Sequence, residues 1–318
     1  MESLGAELTQ LEVSVSRLLG HRAIFALLLS FTFQGCSKPK PEIEAQKPQE
    51  SSDDHTTLPQ STPEEKNINS LPEGTLPEFK KNFFLKEHDL ELIWIDRGSF
   101  QMGSEHPNAP ENEKPLTLST LSRGYWLAKL ETRQDLYAKL TEENPSLTQG
   151  AKLPVENLTY LDAVSFCEKL TQYEAEMGRL LTKYIYQLPT EAQWEFAAKG
   201  GRNRLPKDGP TREECVWHKG NSGQSVQVTG LKSATVPGLH DILGNVYEFC
   251  HGFYAPYPGR HVIDWTGYST TRLRVARGGS WFNPASDCTP TIRYPLPVTG
   301  KIGMVGFRIA LVYDTAGG

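Results

Sequence analysis

At 318 residues the chain has room for two average domains or for one large irregular domain with appendages. Hydrophobic residues make up 38%, charged residues 22%, and the formal net charge is -5, values that suit a globular protein and exclude the basic footprint of nucleic-acid binding. No P-loop, dinucleotide fingerprint or Gly-x-Ser-x-Gly stands in a strand-to-helix context, so nucleotide binding is not expected either.

The long apolar run near the start, Ala23 to Phe33, follows Arg17, His21 and Arg22 and leads into Gln34-Gly35-Cys36. A membrane-spanning helix needs about 20 apolar residues, so this shorter run reads as the apolar core of a secretory signal. Residues 1–36 are therefore expected to be a signal peptide, with the natural start near residues 13–19, because the stretch before Arg17 is acidic and longer than an ordinary leader head. Gly35-Cys36 resembles a bacterial lipobox, which makes Cys36 the lipidation candidate and the exported protein a membrane-anchored lipoprotein facing the periplasm or the cell surface; ordinary signal cleavage is the alternative. Residues 37–83, rich in Pro, Glu, Lys and Ser, cannot bury a core and are expected to form an extended tether.

From residue 84 to 314 aromatics recur and glycines punctuate short apolar runs, as in one folded domain. Leu92–Ile95 and Arg97–Gly103 are expected to form a hairpin. A helix is predicted over Arg133–Glu142, stopping before Asn144-Pro145. Thr159 with Asp162 makes a capping box ahead of an apolar stripe through Ala163, Phe166, Cys167 and Leu170, ending at Gly178. Thr190 with Gln193 makes a second, stopped by Gly200-Gly201. After residue 201 no helix longer than about two turns is expected. Cys167, Cys215, Cys250 and Cys288 lack zinc-site spacing and leave three disulfide pairings open. His218, His240 and His251 show no paired metal-ligand spacing.

Four phrases stand in order along this region: Ile95-Asp96-Arg97-Gly98-Ser99-Phe100-Gln101-Met102-Gly103-Ser104, Leu188-Pro189-Thr190-Glu191-Ala192-Gln193-Trp194-Glu195-Phe196-Ala197-Ala198, Asp241-Ile242-Leu243-Gly244-Asn245-Val246-Tyr247-Glu248-Phe249, and Arg277-Gly278-Gly279-Ser280-Trp281 leading to Gly306-Phe307-Arg308. Together they resemble the sulfatase-modifying factor, or formylglycine-generating enzyme, family. The resemblance implies an α+β, irregular, loop-rich fold related to C-type lectin domains.

In the family's oxidases a cysteine pair after the Gly-Gly-Ser segment binds copper and converts the cysteine of a Cys-x-Pro-x-Arg sulfatase motif to formylglycine. Two soft thiolates suit Cu(I). Here the first position falls on Asn283 and the second on Cys288, so Cys288 is the one catalytic candidate and a non-oxidase member is expected. The resemblance also implies a calcium stretch at Asp241, Gly244, Val246 and Glu248, since calcium accepts mixed carboxylate and carbonyl oxygens; the competing reading pairs Glu248 with an arginine. Arg277, Arg293 and Arg308 are expected to tie loops together. Trp265, Arg277, Trp281, Asn283 and Arg293 are the candidate binding surface, for a protein or glycan partner in the cell envelope. The function expected is a binding or scaffold module, with the copper oxidase and a structural component of an envelope assembly as alternatives.

Overall fold

The computed structural model describes residues 76–201, 209–268 and 271–314. The expected signal segment, Cys36 and the expected tether up to residue 75 lie outside the described residues. No described helix is long and apolar enough to cross a membrane.

Five strands, β1 (Phe83–Leu85), β2 (Leu90–Ile95), β5 (Tyr125–Ala128), β6 (Tyr184–Gln187) and β12 (Ala310–Tyr313), form an antiparallel sheet in the order β1-β2-β5-β12-β6. Side chains alternate between the faces of a strand, and that alternation sorts this sheet into two cores. Leu92, Trp126, Ala128 and Leu311 join one apolar cluster, while Ile93, Tyr125, Leu127, Ala310 and Val312 join the other. The packed body begins ahead of residue 84: the Phe79 ring lies 5.9 Å from that of Trp126, whose indole N–H donates to the Lys81 carbonyl.

The three helices expected before residue 201 are present, two of them starting at their capping boxes. Helix α1 (Gln134–Thr141) ends on Glu142 in the left-handed conformation. Helix α2 (Tyr160–Glu176) starts at the Thr159–Asp162 capping box and buries Ala163, Phe166, Cys167 and Leu170 in the first cluster. Gly178, at φ +70°, follows its end. Helix α3 (Glu191–Ala198), capped by Thr190 and Gln193, packs Ala192, Trp194, Phe196 and Ala197 into the second cluster across the sheet. Beyond residue 201 the one described α-helix, α4 (Arg212–Cys215), is a single turn.

Two smaller sheets complete the α+β architecture. Strands β7 (Tyr247–Cys250), β9 (Leu273–Arg277), β10 (Arg293–Pro297) and β11 (Val305–Gly306) run in the order β10-β9-β7-β11; β3 (Gly98–Met102), β4 (Thr117–Leu121) and β8 (Val262–Ile263) form the third sheet. The hairpin expected between Leu92–Ile95 and Arg97–Gly103 is absent: β2 pairs with β1 and β5, whereas β3 pairs with β4. Both edges of β2 are taken, so the chain after Ile95 must leave the sheet. Gly98 then packs so closely on Phe196 that a Cβ there would lie 2.9 Å from the ring.

Candidate functional site: the Gly-Gly-Ser turn and its groove

Strand β9 delivers the chain into a turn at Gly278 (φ +97°) and Gly279 (φ +83°), conformations that favour glycine. A Cβ on Gly279 would meet Cys288 Sγ at 2.9 Å. Cys288 is fully buried and unpaired, and its thiol reaches only the Ser280 and Pro284 carbonyls, each at 3.8 Å. Burial pushes this thiol up to about 12, so it stays protonated near neutral pH. The Asn283 carboxamide oxygen closes the turn, accepting from the Ser280 N–H (3.1 Å) and hydroxyl (2.7 Å). One buried protonated thiol and an engaged carboxamide do not make the two-thiolate donor set that Cu(I) requires. Cys167, Cys215 and Cys250 are also buried and free, so none of the three disulfide pairings left open by spacing is formed.

The stretch from Asp241 to Glu248 is buried beside Glu131 and Arg308. Arg308 Nε and Nη2 donate to both oxygens of Glu248 (2.7 and 2.6 Å), and the Trp194 indole N–H donates to one of them (2.7 Å). Asp241 Oδ2 accepts from the Gly230 N–H at 2.6 Å, while Oδ1 is buried without a partner. Glu131 accepts from the Asn245 side chain and the Val246 N–H. Burial, with Asp241 and Glu248 nearby, pushes Glu131 well above the usual carboxylate range. Burial pushes Asp241 up to about 6, against the pull of Gly230, Arg308 and His240. Asp241 therefore has an oxygen to offer a cation, but Glu248 spends both of its oxygens on Arg308. Among the described residues no three His, Cys, Asp or Glu side chains converge as metal ligands. His218 bonds Glu213 and His240 bonds the Lys232 carbonyl.

Arg277 and Arg293 are corrections to the expected binding surface. Arg277 is 0% and Arg293 4% exposed. Arg293 clamps Glu191 through Nε (2.6 Å) and Nη2 (2.9 Å); Arg277 bonds Glu191, Glu195 and the Tyr257 hydroxyl, and Lys199 bonds Glu195 at 2.6 Å. Burial alone would raise Glu191, but Arg293 and Arg277 outweigh it and hold that carboxyl below its ordinary value. Buried guanidinium groups are tolerated when several acceptors surround them, so these two arginines bolt α3 to β9 and β10 and present nothing to a partner.

What faces solvent is a groove of about 410 Å³ beside the same turn, lined by Leu147, Val226, Trp281, Phe282, Ile302 and Met304, with Thr148, Gln224, Ser225 and Gly303 between them. Leu147 is 71% and Phe282 53% exposed. The Trp281 indole N–H points at the Gly303 carbonyl (3.4 Å), and Lys219 lies over the Phe282 ring at 5.3 Å. Trp281 was expected at such a surface; Leu147 and Val226 were not, because they stand on loops distant in sequence with no periodic pattern. Trp265 does not line the groove and packs against the second apolar cluster.

A family model for the sulfatase-modifying factor enzyme 1-like domain matches residues 84–312. Chaperone protein LppX of Paenibacillus barcinonensis is 24% identical over 250 residues, covering 64% of this chain and 82% of that protein. Serine/threonine-protein kinase Pkn1 of Chlamydia trachomatis is 32% identical over 175 residues, which are 50% of this chain and 24% of the kinase, so the chain spans about a quarter of that relative's length. Among solved structures, Treponema denticola variable protein 1 superposes with a TM-score of 0.63 at 25% identity, over 72% of this chain and 98% of its own. With a match over most of its length, four phrases in family order and the loop-rich α+β fold that they imply, the chain belongs to the sulfatase-modifying factor enzyme 1-like family.

Proposed function

We propose that this protein is a binding module, exported and anchored to a membrane through lipid on Cys36, whose groove takes apolar side chains of an extended protein partner in the cell envelope. The observation that carries this reading is the exposed apolar lining, Leu147 and Phe282 above all, next to a turn whose one cysteine is sealed in the core. Contiguous exposed apolar surface rimmed by polar groups marks an interaction site, and a pocket of this kind recognises aliphatic or aromatic groups. Sugar recognition asks for convergent charged or amide groups, and the polar side chains here, Thr148, Gln224 and Ser225, are few. A relative described as a chaperone protein supports a protein partner over a glycan.

The test uses the intact chain and end-capped decapeptides carrying Leu and Phe, or Lys and Glu, at alternate positions, beside a panel of neutral oligosaccharides. Fluorescence anisotropy is expected to show binding of the apolar series, weakened about tenfold or more by Phe282→Ser, the loss of an exposed aromatic anchor that the partner would cover. Oligosaccharide binding sensitive to that substitution would reassign the partner to a glycan. Conversion of a Cys-x-Pro-x-Arg peptide thiol to the aldehyde with Cu(I) in air, read by mass spectrometry, would replace the binding module with the oxidase. Absence of all three would leave the envelope scaffold in its place.

A further inference from the structure

One wall of the groove rests on a buried acid that neither the family phrases nor the cysteine turn involves. Glu156 is 1% exposed. Its Oε1 accepts the main-chain N–H groups of Leu147 (2.6 Å) and Thr148 (3.1 Å), and its own N–H donates to the Ser146 hydroxyl (3.2 Å). Its Oε2 is buried with no hydrogen-bond partner. That oxygen lies beside Gly303, where a Cβ would come within 3.2 Å of it and 2.6 Å of Leu147 Cδ1. The carboxylate thus sits behind three residues that line the groove.

We propose that Glu156 is the positioning residue of this groove: its buried carboxylate holds the Leu147–Thr148 wall in the shape that receives an apolar side chain, and Gly303 leaves the space that lets it do so. A buried carboxylate that forms no ion pair is costly to keep, and burial indeed pushes Glu156 upward against the pull of the Thr148 and Leu147 N–H groups. A loop needed only as a connection has no use for such a group. Leu147, by contrast, is an apolar side chain held out into solvent, and fixing it before the partner arrives removes part of the ordering cost of association.

This inference rests on the groove being the binding site, so its first readout needs no ligand. In the intact chain, hydrogen exchange of the Leu147 and Thr148 amides is expected to quicken about tenfold or more in Glu156→Leu, because the charged acceptor is gone, and to stay near the parent rate in Glu156→Gln, which keeps an acceptor. The second readout is anisotropy with the Leu/Phe decapeptide. Glu156→Leu is expected to weaken binding, Glu156→Gln to restore it, and Glu156→Leu to cost nothing further in a Leu147→Ala background. Unchanged exchange in Glu156→Leu, or fully additive losses with Leu147→Ala, would overturn the assignment. If the parent protein binds no peptide while the exchange result holds, the wall assignment survives and the binding reading fails.

Discussion

Asp241 carries the clearest single-residue consequence. The unfolded chain releases its proton near 3.8, whereas the folded protein keeps it until about pH 6. Between those values the native state binds more protons than the unfolded one, so this group's contribution to stability falls as pH rises through the window. Asp241→Asn keeps an acceptor for the Gly230 N–H and removes the buried charge. It is expected to raise stability at pH 7 to 8 by about 1–3 kcal/mol and to flatten the loss between pH 4 and 6, as denaturant melts at several pH values would show. Calcium bears on the same residue. With Glu248 committed to Arg308, adding the ion to chelator-treated protein is expected to leave Tm unchanged; a rise that disappears in Asp241→Asn would instead establish the ion there. None of this could be read from Asp241 and Glu248 as letters. Their spacing suits a calcium stretch, but the choice between a cation and Arg308 depends on a residue sixty positions beyond Glu248.

At the scale of the element, the caps were legible because they are local. A threonine three residues ahead of Asp162 or Gln193 satisfies helix N–H groups wherever the helix lies, and both boxes form as read. Thr159→Ala is expected to cost about 1 kcal/mol, measured as a shift in urea midpoint. Thr211→Ala, at the one-turn helix α4, is expected to cost less than half of that, because Thr211 is exposed and water can replace its hydrogen bonds. The strand assignments were legible and their pairing was not. Leu92–Ile95 and Arg97–Gly103 read as neighbours joined by a turn, yet β2 spends its edges on β1 and β5, and β5 arrives thirty residues later. Strand pairing is decided by which edges remain free, and that is a property of the assembled sheet.

Across the whole molecule, the ion network of Arg277, Arg293, Glu191, Glu195 and Lys199 joins strands β9 and β10 to α3. Removing one cation from a buried network leaves its acids uncompensated, so Arg277→Ala is expected to cost about 3 kcal/mol or more, against a much smaller loss for the exposed pair in Lys139→Ala; thermal melts of the two variants at one pH compare them directly. The sequence by itself determined the family, the loop-rich α+β class and the three main helices, two of them with their caps, since each of these is written in contiguous residues or in the order of short phrases. Tertiary structure alone decided that Cys288 is sealed, that Arg277 and Arg293 are bolts in place of contacts, and that the open surface is a groove formed by residues 147–148, 224–226, 281–282 and 302–304. The reason is physical: burial and charge compensation are sums over neighbours brought together from distant parts of the chain, and no local pattern of residues records which neighbours those will be.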